Sequence, residues 1–296
     1  MSKDERMVEW SEVAMKERPF TTLDGLLEMG GLEYDVKDLS IKGRNILIED
    51  VESDDEEEEK SGVDDEEEEE DSYLVGEDTG RRTWEASVVF AKYIEAHSEL
   101  VLGKSKDDGI VVEVGAGSGV VGISAAATDI PKCVVLTDLE YCHKALRRNA
   151  EASIALWSKS KVGRTDITVK SLNWKHVATS GVWKDGVIPD VVLGSEVVWL
   201  YELVEPLART LKALCEMRLA SKGAPPKIYL SYQSRDADLD EELRVTFKSN
   251  GLRLYLVHHN DLPEAYRFGR KIIVLKCEYT RCKDDDSPTT TDEKAS

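Results

Sequence analysis

The run Val112-Glu113-Val114-Gly115-Ala116-Gly117-Ser118-Gly119-Val120-Val121-Gly122 constrains this chain more than any other segment. A β-branched stretch ends in a glycine cluster, and small apolar residues follow it. A buried strand that turns tightly into a helix needs this order of residue types. Glycines let the backbone adopt positive φ and let a ligand approach the peptide planes closely. The helix start then presents N–H groups that have no intrahelical partner.

The rest of the main body alternates in the same way. Helical spacing covers Trp84 to Ala96, Val120 to Ala127, Tyr141 to Trp157, Tyr201 to Leu219 and Leu239 to Ser249. Between them lie apolar runs of strand length: Ile110 to Val114, Cys133 to Thr137, Ile167 to Leu172, Asp190 to Gly194 and Ile228 to Tyr232. Nearly continuous apolar strands alternating with helices imply an α/β fold, with a mostly parallel sheet covered on both faces. Leu252 to Val257 and Ile272 to Cys277 have no helix between them, so they are expected as an antiparallel pair at one edge. Near the N-terminus, Leu39 to Ile48 reads as a β-hairpin turning at Gly43-Arg44-Asn45.

Charge divides the chain further. Of its formal net charge of −20, −16 falls between Glu49 and Asp71. Charge this dense buries nothing and is expected to stay disordered. The domain expectation is therefore an N-terminal extension with the hairpin (1–48), an acidic insert (49–72), a catalytic-type domain (73–282) and a polar tail (283–296). No basic stripe suggests a direct nucleic-acid partner, and no apolar run is long enough to span a bilayer. Five cysteines without a C-x-x-C pair argue against zinc and against a disulfide framework, and no other metal site is expected. With no signal-peptide core in MSKDERMVEW, the expected location is cytoplasmic, with the nucleus also open.

Two cofactor classes use a glycine turn of this kind. Gly117-x-Gly119-x-x-Gly122 fits a dinucleotide fingerprint. Gly115-x-Gly117-x-Gly119, with Glu113 two residues before it, fits the loop that holds S-adenosylmethionine. Because the strand ends at Val114, a dinucleotide site would want its third glycine at Val120, and this register favours the methyl donor. A turn that only packs helix on strand stays open. Asp138, at the end of the second strand, suits the two hydroxyls of a ribose in either class. Its alternative role is a helix cap. Trp174, after the third strand, is placed to stack on a base or to fill core. Glu196 and Trp199, after the fourth strand, lie where open sheets bind ligands. No Asn-Pro-Pro-Tyr sequence is present, which argues against methylation of a flat amide or base amino group.

These residues carry a resemblance. Gly80 to Glu95, the glycine loop, Val134 to Glu140, Leu172-Asn173-Trp174, Pro189 to Trp199, Glu205-Pro206-Leu207 and Pro263 to Arg267 resemble the methyltransferase-like family 21 of seven-strand protein-lysine methyltransferases. Within that family they are nearest to the branch acting on valosin-type ATPases. The resemblance implies a class I, Rossmann-like fold of seven strands with S-adenosyl-L-methionine as cofactor. It implies that Trp84 lines the donor pocket and that Glu113, Gly115, Ala116, Gly117 and Gly119 hold the methionine end. Asp138 would hold the ribose, Trp174 would pack on adenine, and Ser195 would close the donor side. The family's Asp-x-x-Tyr falls on Glu196-Val197-Val198-Trp199, so the charge moves by one methylene and the tyrosine hydroxyl is lost. Glu196 is expected to orient the acceptor amine, with Trp199 or Tyr232 walling the channel. The implied partner is a lysine-bearing, non-histone protein: a valosin-type ATPase, a chaperone or an elongation factor. The acidic insert reads as a solvated linker or as a steering arm for a basic partner. Arginine methylation, a non-catalytic donor-binding module and a nicotinamide oxidoreductase are the other readings.

Overall fold

The computed structural model describes residues 7–11, 39–49, 83–104, 109–157, 165–179, 184–234, 236–262 and 272–281. The acidic run beyond Glu49, the start of the Gly80 to Glu95 segment, Pro263 to Arg267 and the polar tail lie outside the described residues.

The strands are β1 (Val8–Glu9), β2 (Ser40–Ile41), β3 (Arg44–Asn45), β4 (Ile110–Val114), β5 (Cys133–Asp138), β6 (Asp166–Ser171), β7 (Val191–Ser195), β8 (Lys227–Gln233), β9 (Leu252–Leu256) and β10 (Ile272–Tyr279). The helices are α1 (Glu85–Ala96), α2 (Ser98–Leu102), α3 (Val120–Ala127), α4 (His143–Trp157), α5 (Tyr201–Lys222) and α6 (Ala237–Ser249). One sheet runs in the order β1-β9-β10-β8-β7-β4-β5-β6. Strands β4 to β8 pair in parallel. Strand β10 inserts antiparallel between β8 and β9. This is the expected Rossmann-like methyltransferase sheet with one strand more than the seven expected. The eighth, β1, adds to the free side of β9 through Val8 opposite Leu256. It is only two residues long, too short to show a period in the sequence.

Period-two geometry divides the apolar strands between two cores. Val111, Val134, Leu136, Val191, Leu193, Tyr229 and Val274 face α1, α3 and α4. Val112, Val135, Val192, Ile228, Leu230, Ile273 and Leu275 face α5 and α6. The continuous apolar runs thus supply both faces of one covered sheet.

The hairpin of β2 and β3 turns one residue earlier than expected. Lys42 (φ 51°) and Gly43 (φ 77°) both take left-handed backbone. Such a two-residue turn matches the twist of paired strands, so Arg44 and Asn45 become the second strand. The hairpin docks on α4, where the Trp157 indole donates to the Asn45 carbonyl at 2.8 Å and the Leu47 amide donates to Ser153 Oγ at 3.0 Å. At the opposite end of the sheet from the glycine loop, Asp190 accepts from the Ile110 amide and from Arg218 and Lys222. Burial alone would raise the Asp190 carboxyl, but these three donors hold it below its ordinary value. That closes the N-terminal ends of β4 and β7. The C-terminal ends remain open for a site.

Candidate functional site

A cavity of about 340 Å³ opens beyond the C-terminal ends of β4 to β7. That volume lies within the range of small-molecule sites. Its floor is the glycine loop. Gly115 has φ +61°, and a Cβ there would lie 2.9 Å from Val197 and 3.1 Å from the Trp174 ring. Only a residue without a side chain lets Val197 and the Trp174 ring pack this closely on the turn. The Ala116 amide donates to the Thr137 carbonyl at 2.9 Å, which holds the loop against the tip of β5.

Two carboxylates brace the loop. Asp138 accepts from the Gly117 amide and from the Leu139 amide, each at 2.7 Å. Glu113 accepts from the Gly122 amide at 2.8 Å and so ties β4 to α3. Burial raises the Asp138 carboxyl despite those two amide bonds. Burial also pushes Glu113 well above its ordinary value, against the Gly122 bond, and the Asp138 charge adds to the rise.

On one side of the cavity stand Trp84, the N-cap of α1 and 42% exposed, and Trp174, which follows β6. The Trp174 indole nitrogen is buried and has no hydrogen-bond partner among the described residues. On the other side the chain leaves β7 through Ser195 and Glu196. Glu196 is buried at 8% exposure and takes left-handed backbone at φ +54°. That conformation costs a residue bearing a β-carbon about 1–3 kcal/mol and persists only where its surroundings impose it. Here the Glu196 amide donates to the Ser231 carbonyl at 3.0 Å, and Glu196 Oε1 accepts from the Gln233 amide at 2.6 Å. The Ser231 hydroxyl donates to Ser195 Oγ at 2.7 Å. Trp199 completes this wall.

The cavity therefore gathers Trp84, Glu113, Gly115, Ala116, Gly117, Asp138, Trp174, Ser195, Glu196 and Trp199. Two expected site residues stand outside it. Tyr232 is not at a strand tip, because β8 continues to Gln233. Strand parity turns its ring into the core under α6, where its hydroxyl donates to Asp240 Oδ1 at 2.8 Å. Gly119 caps α3 with φ +87°, and a Cβ on it would lie 2.7 Å from Leu146. It serves the turn and the packing of α4, not the cavity. Tyr141, Asn173 and Val197, each two or three residues past a strand tip, and Leu203, in the first turn of α5, also line the cavity and are not among the expected site residues. Among the described residues, no group of three His, Cys, Asp or Glu side chains is placed to hold a metal ion.

The site suits a nucleoside carrying a flexible amino-acid arm. The glycine loop lines the cavity with backbone at Gly115 and Gly117. Asp138 sits where ribose hydroxyls can donate to it, and the Trp174 ring offers an apolar face beside it. The sequence pattern of the lysine methyltransferase family matches residues 68–245.

This chain belongs to the lysine methyltransferase family.

Membership fits the sheet order, the strand-tip cavity and S-adenosylmethionine as cofactor. Three curated relatives come from Mus musculus. Protein-lysine N-methyltransferase EEF2KMT is 26% identical over 54% of this chain and 46% of its own length. Protein N-lysine methyltransferase METTL21A is 33% identical over 45% of this chain and 54% of its own. EEF1A lysine methyltransferase 3 is 28% identical over 62% of this chain and 74% of its own. The chain spans about half the length of the first two. These relatives support the broad lysine methyltransferase grouping and do not single out the branch acting on valosin-type ATPases.

Proposed function

We propose that this protein transfers methyl groups from S-adenosyl-L-methionine to a lysine side chain of a non-histone protein. The observation that carries this reading is one cavity with a donor half at β4 to β6 and a carboxylate-and-indole half at β7. We place the acceptor in a valosin-type ATPase, a chaperone or an elongation factor, and the enzyme in the cytoplasm or nucleus.

The donor supplies a methyl group on a positively charged sulfur that departs as a neutral thioether. Everything else falls to the chain. Gly115, Ala116 and Gly117 seat the amino-acid arm, Asp138 takes the ribose hydroxyls, and Trp174 supports the base. The Glu196 carboxylate draws in the lysine cation and orients its nitrogen once the proton has left. The Trp199 ring face supports the same cation and the methylene stem behind it. Burial of Glu196 at 8% exposure lowers the local dielectric and strengthens the carboxylate's hold on the nitrogen. Holding the reacting atoms in line accounts for most of the acceleration.

The test is transfer of labelled methyl from S-adenosylmethionine into a cytosolic extract, with Asp138→Ala as control, followed by mass spectrometry of the labelled protein. Methyl-lysine in a discrete band, absent with Asp138→Ala, is the expected result. Methyl-arginine would move the acceptor to another residue type. Donor binding without any transfer would replace catalysis with a binding role.

A further inference from the structure

We propose that Tyr232, Ser234 and Asp240 form a positioning unit that sets the Glu196 carboxylate through the backbone of Gln233, with Trp10, just after β1, closing the unit. The inference rests on the reading that Glu196 meets the acceptor lysine.

Asp240 is a carboxylate at 6% exposure inside α6. A buried carboxylate is costly unless its oxygens are satisfied. Both are satisfied by one short stretch of chain. Tyr232 donates its hydroxyl to Asp240 Oδ1 at 2.8 Å, and Ser234 donates its hydroxyl to Oδ2 at 2.6 Å. The residue between them is Gln233, whose amide donates to Glu196 Oε1 at 2.6 Å. One carboxylate thus grips both neighbours of the residue that orients the other.

Nothing in the packing alone requires this. An apolar side chain at 240 would fill the same core beside Leu239 and Leu243. Hydroxyl-to-carboxylate bonds add direction and strength that apolar contact lacks. They fix the end of β8 relative to α6, whose start is fixed in turn by Asp236 accepting from the Asp238 amide at 2.8 Å. Tyr232 is also hemmed in from behind. The Trp10 ring meets it edge-on at 5.8 Å, and the Arg244 guanidinium lies 5.1 Å from the Trp10 ring centroid. The Trp10 amide donates to the Leu254 carbonyl at 2.8 Å. The residue that follows β1 thus reaches the cavity wall through a chain of contacts: Trp10, Tyr232, Gln233, Glu196. None of Trp10, Tyr232, Ser234 and Asp240 lines the cavity, so they act through Glu196 and are positioning residues.

The experiment follows the Gln233 amide by hydrogen exchange in the full chain, alongside steady-state methyl transfer, for wild type, Tyr232→Phe and Ser234→Ala. Tyr232→Phe keeps the ring and removes one grip, and Ser234→Ala removes the other at little cost in packing. The expected result is Gln233 exchange faster by about tenfold in either variant, with the Leu230 amide in the same strand unchanged. The kcat for transfer falls by about tenfold or more while donor affinity stays as in wild type. Gln233 exchange at the wild-type rate in both variants overturns the proposal, as does an equal rise along all of β8, which marks a purely structural role. Altered exchange with undiminished kcat overturns the link to Glu196. If wild type transfers no methyl at all, the proposed function fails, and the exchange rates still decide whether the unit holds the Gln233 amide on Glu196.

Discussion

The two halves of the cavity are built by different means. The donor half is mostly backbone: glycine turns, amide bonds, and carboxylates that hold amides within about twenty residues of themselves. The acceptor half is held by side chains reaching across strands. Glu196 meets Gln233, 37 positions on, and Ser195 meets Ser231, 36 positions on. Glu196 also keeps a strained backbone that the donor half reserves for glycine. A backbone-built half tolerates change at few positions but tells them plainly. A half built by side chains can be retuned by single substitutions, which suits the part proposed to meet the acceptor.

Four experiments test that contrast. The largest effect is expected from Glu196→Ala, which should lower methyl transfer by about 10²-fold or more while calorimetry finds donor affinity within about twofold. Loss of donor affinity in that variant would merge the two halves. Gly122→Ala should strike the donor half instead. A Cβ there would overlap Leu136 and lie 2.6 Å from Glu113 Oε2, so denaturant titration should show a loss of about 1–3 kcal/mol. Undiminished stability would mean that the Glu113 brace is slack.

Trp174→Leu should weaken donor binding by about tenfold, consistent with a stacking contribution of about 1–3 kcal/mol, and leave acceptor KM alone. An acceptor effect without a donor effect would move Trp174 to the other half. The smallest effect is a pH slope. Burial raises Glu113 above its ordinary 4.5, so the folded chain keeps a proton there that the unfolded chain has lost. The stabilisation relative to high pH is complete below about pH 4.5 and fades as pH rises through the folded value. Glu113→Gln keeps a carbonyl for the Gly122 amide and removes the titration. Its melting temperature should therefore gain on that of wild type as pH rises from 4.5, and parallel curves would show that Glu113 does not titrate in that window.

How much could be read beforehand follows the same division. The span of α3 is read to the residue, because Gly119 marks its start and the apolar run its length. The glycine loop, Asp138 and Trp174 sit at strand tips that local pattern locates. The hairpin was displaced by one residue because Lys42, a non-glycine, takes left-handed backbone. Tyr232 shares its face with Ile228 and Leu230, and that this face is the one covered by α6 is decided by how the helix lies on the sheet, not by the pattern of β8 itself. The grip of Asp240 on Tyr232 and Ser234 was invisible for the same reason: it depends on how α6 lies on β8, which no local pattern encodes.

One junction has a wider consequence. The Glu49 amide donates to Asn149 Oδ1 at 3.2 Å, and the Asn149 side-chain amide donates to the Ser118 carbonyl at 3.0 Å. The Thr83 hydroxyl lies 3.1 Å from that of Ser118. Glu49, through Asn149, and Thr83, directly, are thus tied to the same glycine-loop residue. Two positions far apart in sequence are held together by one backbone carbonyl and one hydroxyl of the loop. Ser118 also lines the donor cavity, so a substitution at Ser118 or Asn149 would be felt at both points of attachment and at the cavity rim together.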